Sequence, residues 1–198
     1  MNYPNNLLKL IEVFKKLPGV GTKSAERFAF HLLTCSEKEI SEMAKTIASV
    51  KVLFKNCVQC GCLIDEKGCS FCNNQQRNHK IICILASPRD VFSIESTREY
   101  SGLYHVLGGL LSPLDGKEAK HLHIEKLKNR ILSLSVQEVI IALDSTLEGD
   151  TTALYLKREL APLSRSISRL AFGLPMGSSL DYVDGGTLAY ALAGRQQL

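Results

Sequence analysis

The sequence predicts an α/β fold with an all-α N-terminal part. Three features carry that expectation. Apolar residues recur at helical spacing through the first 54 residues. Two Cys-x-x-Cys pairs crowd residues 57–72. From residue 80 onward, short runs rich in Ile and Val alternate with helical segments, which suggests a mainly parallel sheet with helices on both faces.

Leu7, Leu8, Leu10, Ile11, Phe14 and Leu17 define a first helix, stopped by Pro18 and Gly19. A second helix is expected from Thr22, as N-cap, to Leu33. A third starts at "SEKE", where Ser36 and Glu39 have capping-box spacing, and turns Ile40, Met43, Ala44, Ile47, Val50 and Leu53 toward a core. Residues 1–54 therefore form one helical unit. After the cysteine segment and the polar linker "NNQQRNHK", "IICIL" (81–85) reads as a strand and "PRDVFSIES" as a short helix opened by Pro88. "GLYHVLGG" follows, punctuated by Gly108 and Gly109. Helix "EKLKNRILSL" (125–134), strand "EVIIAL" (138–143), helix "TTALYLKREL" (151–160) and strand "SISRLAF" (166–172) complete an α/β domain over residues 80–175. Residues 176–198 are a Gly-rich loop and a short helix. No internal repeat or low-complexity segment appears.

Apolar residues make up 45% and charged residues 22%, as expected of a globular protein. A net charge of +4 permits a nucleic-acid partner without requiring one. The opening "MNYPNNLLKLIEVFKKL" lacks a signal pattern, and no apolar run approaches the ~18 residues a membrane span needs. These features suggest a cytoplasmic protein, where thiols stay reduced and seven cysteines argue for metal before disulfide.

In "CVQCGCLIDEKGCSFC", Cys57, Cys60, Cys69 and Cys72 have the spacing of a four-cysteine finger. Two Cys-x-x-Cys turns complete a tetrahedral all-sulfur site with no position left for water, the chemistry of one structural Zn2+. A redox dithiol is the alternative, and Cys62 could compete with Cys60 as ligand. Cys35, Cys62 and Cys83 read instead as small apolar residues. Nearby Lys51, Lys55, Lys67, Arg77 and Lys80 either extend a basic surface or keep a face solvated.

"LPGVGTKSAERFAFHLL" places Gly19, Val20 and Gly21 at a helical corner. The free N–H groups of the second helix point outward there, a ready phosphate site, with Lys23 and Arg27 four apart on one face. Ala25, Phe28, Ala29 and Leu32 face the core. The stretch resembles a helix-hairpin-helix motif, which binds DNA through phosphates without reading sequence. A plain helical corner, or a dimer contact, is the competing reading.

The segments "PRDVFSIE", "YSGLYHVLGGLLSPLDG", "TLEGDTTALY", "RLAFGLPMGSSLDYVDGGTL" and the final A-x-x-x-R resemble the RecR family of bacterial recombination mediators, over essentially the whole chain. That resemblance implies a Toprim domain in the α/β part and a ring-like homotetramer. It also implies work with RecO, and in many bacteria RecF, to load recombinase on gapped DNA without nuclease activity. The C-terminal segment, with Asp181, Tyr182, Asp184 and Arg195, would be a subunit-contact or packing element.

An active Toprim site needs a Glu after the first strand and an Asp-x-Asp pair after a later one, for acid–base chemistry and magnesium. Here Ala86 stands at the Glu position, where many family members keep Glu. Asp144 matches the first Asp, where Asn is common in the family, and Thr146 stands at the second. Glu148 and Asp150 match downstream acids. The cluster therefore reads as a retired active site. Glu148 and Asp150 would either favour a helix N-terminus or, with Asp144, offer an acidic edge to a basic partner such as RecO. The rival readings are a magnesium-dependent Toprim nuclease or primase-like enzyme using Asp144, Glu148 and Asp150, and a zinc scaffold that does not touch DNA. The dispersed histidines, including His121 and His123 of "HLH", read as structural. "GGT" (185–187) opens a helix but lacks P-loop spacing.

Overall fold

The computed structural model describes residues 3–112, 116 and 118–195. The chain divides into two compact units, Met1–Leu53 and Phe54–Leu198. The "SPLD" part of the glycine-rich motif lies largely outside the described residues.

The first unit has helices α1 (Asn5–Lys15), α2 (Thr22–Thr34) and α3 (Glu37–Leu53). Its core is small: Ile11, Ala25 and Ala29 are buried, flanked by Leu7, Leu10, Phe14 and Val20. Ala25 and Ala29 are four apart and lack bulk, so α1 can approach α2 closely. The reciprocal cap of α3 forms as expected. Glu39 Oε2 accepts the Ser36 N–H at 2.8 Å, and Ser36 Oγ accepts the Glu39 N–H at 3.3 Å. Three expectations need correction. Thr22 is the first helical residue; Gly21, in extended backbone, is the N-cap, and no side chain caps α2. The apolar residues of α3 reach no core: none of its residues is buried, and Met43 and Ile47 are 48% and 73% exposed. Phe28 is likewise largely exposed.

The second unit opens with a two-stranded antiparallel ribbon, β1 (Lys55–Asn56) and β2 (Leu63–Ile64). The main sheet follows, with β3 (Asn78–Leu85), β4 (Gly102–Val106), β5 (Glu138–Ile141) and β6 (Ser166–Arg169) in the order β4-β3-β5-β6, all parallel. β4 was not legible as a strand. All five of its residues are buried, so it lacks the alternation of a half-exposed strand. The pleat of β3 separates two layers. Ile82 and Ile84 face a core built with Leu127 and Ile131 of α5 (Ile124–Leu134) and Leu156 and Leu160 of α6 (Leu147–Leu160). Cys83 and Leu85 face the other layer, where Val91 of α4 (Pro88–Glu95) meets Cys57, Cys60, Cys62, Cys69 and Phe71. The cysteine segment is thus part of the second covering layer.

Helix α6 starts four residues before the expected Thr151, with Thr146 as N-cap accepting the Gly149 N–H at 3.1 Å. The chain passes from β3 to β4 on one side and to β5 on the other. The switch point therefore lies between β3 and β5, where open parallel sheets place their crevice. The tail ends in α7 (Gly185–Ala193). Among the described residues no helix is long and apolar enough to cross a membrane.

Candidate metal centre and nucleic-acid interface

The β1–β2 ribbon is closed by Cys57, whose N–H donates to the Cys62 carbonyl at 2.7 Å, and by the Gly61 N–H bonding the Cys57 carbonyl at 2.8 Å. Gly61 has φ +75°, and a Cβ there would press on the Val106 backbone. The second turn brings the Cys72 N–H to Cys69 Sγ at 3.4 Å, an amide aimed at a sulfur. The sulfurs of Cys57, Cys60, Cys69 and Cys72 all lie within 4.8 Å of one another, and Cys60 and Cys69 are 3.5 Å apart. A tetrahedron with ~2.3 Å metal–sulfur bonds has edges near ~3.8 Å, so the four donors fit a metal ion. Cys62 is fully buried but lies outside this group. Hydrogen bonds from the Cys62 and Cys72 thiols lower the Cys60 thiol, while burial raises Cys69 and the neighbouring Cys60, together with burial, raises Cys72. Arg130 of α5 sets a cation on the cluster, with Nη2 3.4 Å from Cys72 Sγ. Cys83, deep in the sheet, is pushed up to about 12 by burial alone.

The knuckle is docked on the outer edge of β4. Parallel strands turn the main-chain groups of alternate residues to the same side. Here Gly102 O accepts Arg77 Nη1 at 2.7 Å, Tyr104 O accepts Arg130 Nη1, and the Val106 N–H donates to Cys60 O at 2.7 Å. Arg77 also pairs with Glu95 at 2.6 Å and lies over the Phe71 and Tyr104 rings, at 5.0 and 5.3 Å. Its side chain is only 11% exposed. Arg77 therefore leaves the expected basic surface. Lys80 stays exposed, with its Nζ bonding the Leu134 carbonyl at the end of α5 at 2.9 Å.

In the first unit, the corner Pro18–Gly21 separates α1 from α2, with Gly19 at φ +78°. The Val20 N–H bonds the Leu17 carbonyl and the Ala25 N–H bonds Gly21, which closes the turn and begins the helix. Gly19, Gly21, Lys23 and Arg27 are exposed and Val20 is half-buried. An uncapped helix N-terminus, with Lys23 in its first turn, meets the geometric needs of an anion site.

At the carboxyl ends of β3 and β5 the positions that correspond to an active Toprim site come together in the topology. Ala86 is partly buried against the core and offers only its carbonyl, to Gly108 N–H. Asp144 and Glu148 are exposed. Thr146 Oγ1 is spent as the α6 cap. Of its two readings, Asp150 fits the helix N-terminus better than the free acidic edge: it lies in the first turn of α6 and pairs with Arg169 of β6 at 2.6 Å, and that guanidinium lies 4.5 Å over the Phe172 ring. Glu148 and Asp150 sit inside the first turn of α6, not before it. Among the described residues the four cysteines are the one set of three or more His, Cys, Asp or Glu side chains close enough to share a metal.

Three of the histidines, His105, His121 and His123, bond the backbone. His105 bonds the His123 carbonyl at 3.1 Å and His121 accepts the Glu118 N–H at 3.2 Å. Asp184 caps α7 through the Thr187 N–H and hydroxyl, at 2.9 and 2.7 Å, so "GGT" opens a helix already supplied with its own anion.

Family models match the chain in three consecutive parts. A RecR helix-hairpin-helix model covers residues 7–51, a Toprim domain model 80–171 and a RecR C-terminal model 173–196. That order defines a recombination protein carrying a Toprim domain. Relatives agree along the full length. Recombination protein RecR of Protochlamydia amoebophila is 63% identical over 197 residues, covering 100% of both chains. That of Chlamydia caviae is 49% identical over 197 residues and 98% of both, and that of Desulforudis audaxviator 44% over 198 residues and 100% of both. The chain belongs to the RecR recombination protein family.

Proposed function

We propose that this protein is a non-catalytic DNA-binding mediator of recombinational repair. It grips the phosphate backbone through the α2 corner and works with RecO, and with RecF where that partner exists, to load recombinase on gapped DNA. The observation that carries the reading is the exposed, uncapped start of α2 beside Gly19 and Gly21, with Lys23 and Arg27 on its outward face. The amides of Thr22 and Lys23 would donate to one phosphate, and the two cations would neutralise it and a neighbour. Cys57, Cys60, Cys69 and Cys72 would hold one Zn2+, which ties the second covering layer together and takes no part in chemistry. Catalysis is disfavoured by what the site residues do: Ala86 has no proton to give, Thr146 caps α6, and Asp150 is paired with Arg169.

The apolar residues left uncovered on α3, with Met176 and Tyr182 of the tail at 102% and 90% exposure, support a ring-like homotetramer. Several corners on one ring would raise the effective concentration of each weak contact. Binding to single- and double-stranded DNA should then weaken steeply with salt. Replacing Lys23 and Arg27 by Ala should lower affinity about tenfold or more and reduce the duplex salt slope by about 2. Fluorescence anisotropy over a salt series reads both, and wild-type-like affinity would count against the corner. Asp144 and Glu148 remain the free acids for RecO. Glu148→Lys alone is the clean test, because reversing Asp150 would also strand Arg169. Unchanged RecO affinity in that variant would remove the acidic edge from the interface.

A further inference from the structure

We infer that the outward face of α2 is a stacking platform for unpaired bases, so that this corner prefers single-stranded over duplex DNA. The inference rests on the reading of the corner as a phosphate site. Lys23, Arg27, Phe30 and Thr34 are four, three and four residues apart, which puts them on one helical face. Ala25 and Ala29, fully buried, mark the opposite, core-facing side. A phenylalanine is thus placed away from the core, in line with the two cations, and is 45% exposed.

Its surroundings make it more than a stray surface ring. Ser24, Arg27, Phe28, Phe30, His31 and Thr34 line a surface groove of about 850 Å³. Phe28, 44% exposed, and Phe30 are each held edge-on by a neighbour, Phe28 against Phe14 at 5.8 Å and Phe30 against Tyr3 at 5.7 Å. The groove therefore combines oriented aromatic rings, a guanidinium, a histidine and two hydroxyls and, among the described residues, no carboxylate. A surface meant for an apolar helix has no use for Arg27 in its wall. A single strand uses all of these groups: phosphates on Lys23 and Arg27, bases stacked on the rings, and polar edges toward Ser24 and Thr34. Duplex DNA keeps its bases inside and engages only the cations.

The test compares the full-length wild type, Phe30→Leu and Phe30→Tyr on a labelled 20-nucleotide oligo-dT and on a 20-base-pair duplex. Phe30→Leu should weaken oligo-dT binding about 5- to 50-fold and leave duplex binding within about twofold, with Phe30→Tyr restoring the wild-type value. The chain has no tryptophan, so Phe30→Trp supplies a second readout. Its fluorescence should be quenched by oligo-dT and not by the duplex. If Lys23→Ala/Arg27→Ala abolishes both bindings while Phe30→Leu changes neither, the platform is refuted and the corner stands. If that double variant binds both like the wild type, the corner falls and the platform with it. Quenching of Phe30→Trp by raising protein concentration without DNA, with a matching mass increase in light scattering, would assign the face to a second copy and overturn the inference.

Discussion

Gly149→Ala should be among the most damaging small substitutions in the α/β unit. Gly149 is buried in the first turn of α6, where its N–H caps on Thr146. A Cβ there would sit against the Asp144 carbonyl oxygen, inside the 3.0 Å that real Cβ atoms keep, with the carbonyl carbon at 3.0 Å and Thr146 Oγ1 at 3.3 Å. The obstacle is backbone, so no rotamer relieves it. Either the Asp144–Thr146 loop or the helix must move. Overpacking that shifts backbone costs about 1–3 kcal/mol, and about 2–4 °C of Tm follows each kcal/mol in a chain of this size. The expected loss is therefore roughly 2–12 °C, read by circular dichroism with metal saturated. Gly173→Ala is the control: its Cβ would meet nothing within 4 Å, and the change should be neutral or slightly stabilising. Equal melting of Gly149→Ala and wild type would refute the close approach.

Purified protein should carry about one zinc per chain by metal analysis; Cys69→Ser should lose it and Cys62→Ala should keep it, because Cys62 lies outside the sulfur cluster. Burial holds His105 down at about 4, below its ordinary 6.5. Between those values the unfolded chain takes up a proton that the folded chain refuses. Stability should thus be full above pH ~6.5 and fall toward pH ~4, by on the order of 3 kcal/mol; urea titrations at stepped pH would show this slope, and His105→Gln should flatten it. Arg77→Ala should cost about 1–3 kcal/mol in the same titration, since it opens the Gly102 carbonyl and leaves Glu95 with only the Tyr104 hydroxyl and solvent.

What was legible in the sequence was what the chain encodes locally. The four cysteines are readable because two thiolates on one turn need fixed spacing, and the Ser36–Glu39 cap for the same reason. The inward roles of Arg77 and Arg169 were not. Their partners lie 18 and 19 residues away in sequence, and nothing in a local pattern distinguishes a guanidinium facing a carboxylate from one facing water. β4 was hidden because burial on both faces removes the alternation that marks a strand, and Gly108 and Gly109 just beyond it signal a turn. The α3 face was read correctly as apolar and wrongly as covered, because periodicity reports that a helix has something to bury but not which chain supplies the cover.

The way β4 ends the sheet has a practical outcome. Its outward groups at 102, 104 and 106 are occupied by Arg77, Arg130 and Cys60, and two of these three partners touch or belong to the cysteine cluster. Stripping the ion would free a bare strand margin, the template on which copies of a chain zip into aggregates. Chelated preparations should therefore turn cloudy before they unfold, and a metal held by these four cysteines would act as a guard on solubility.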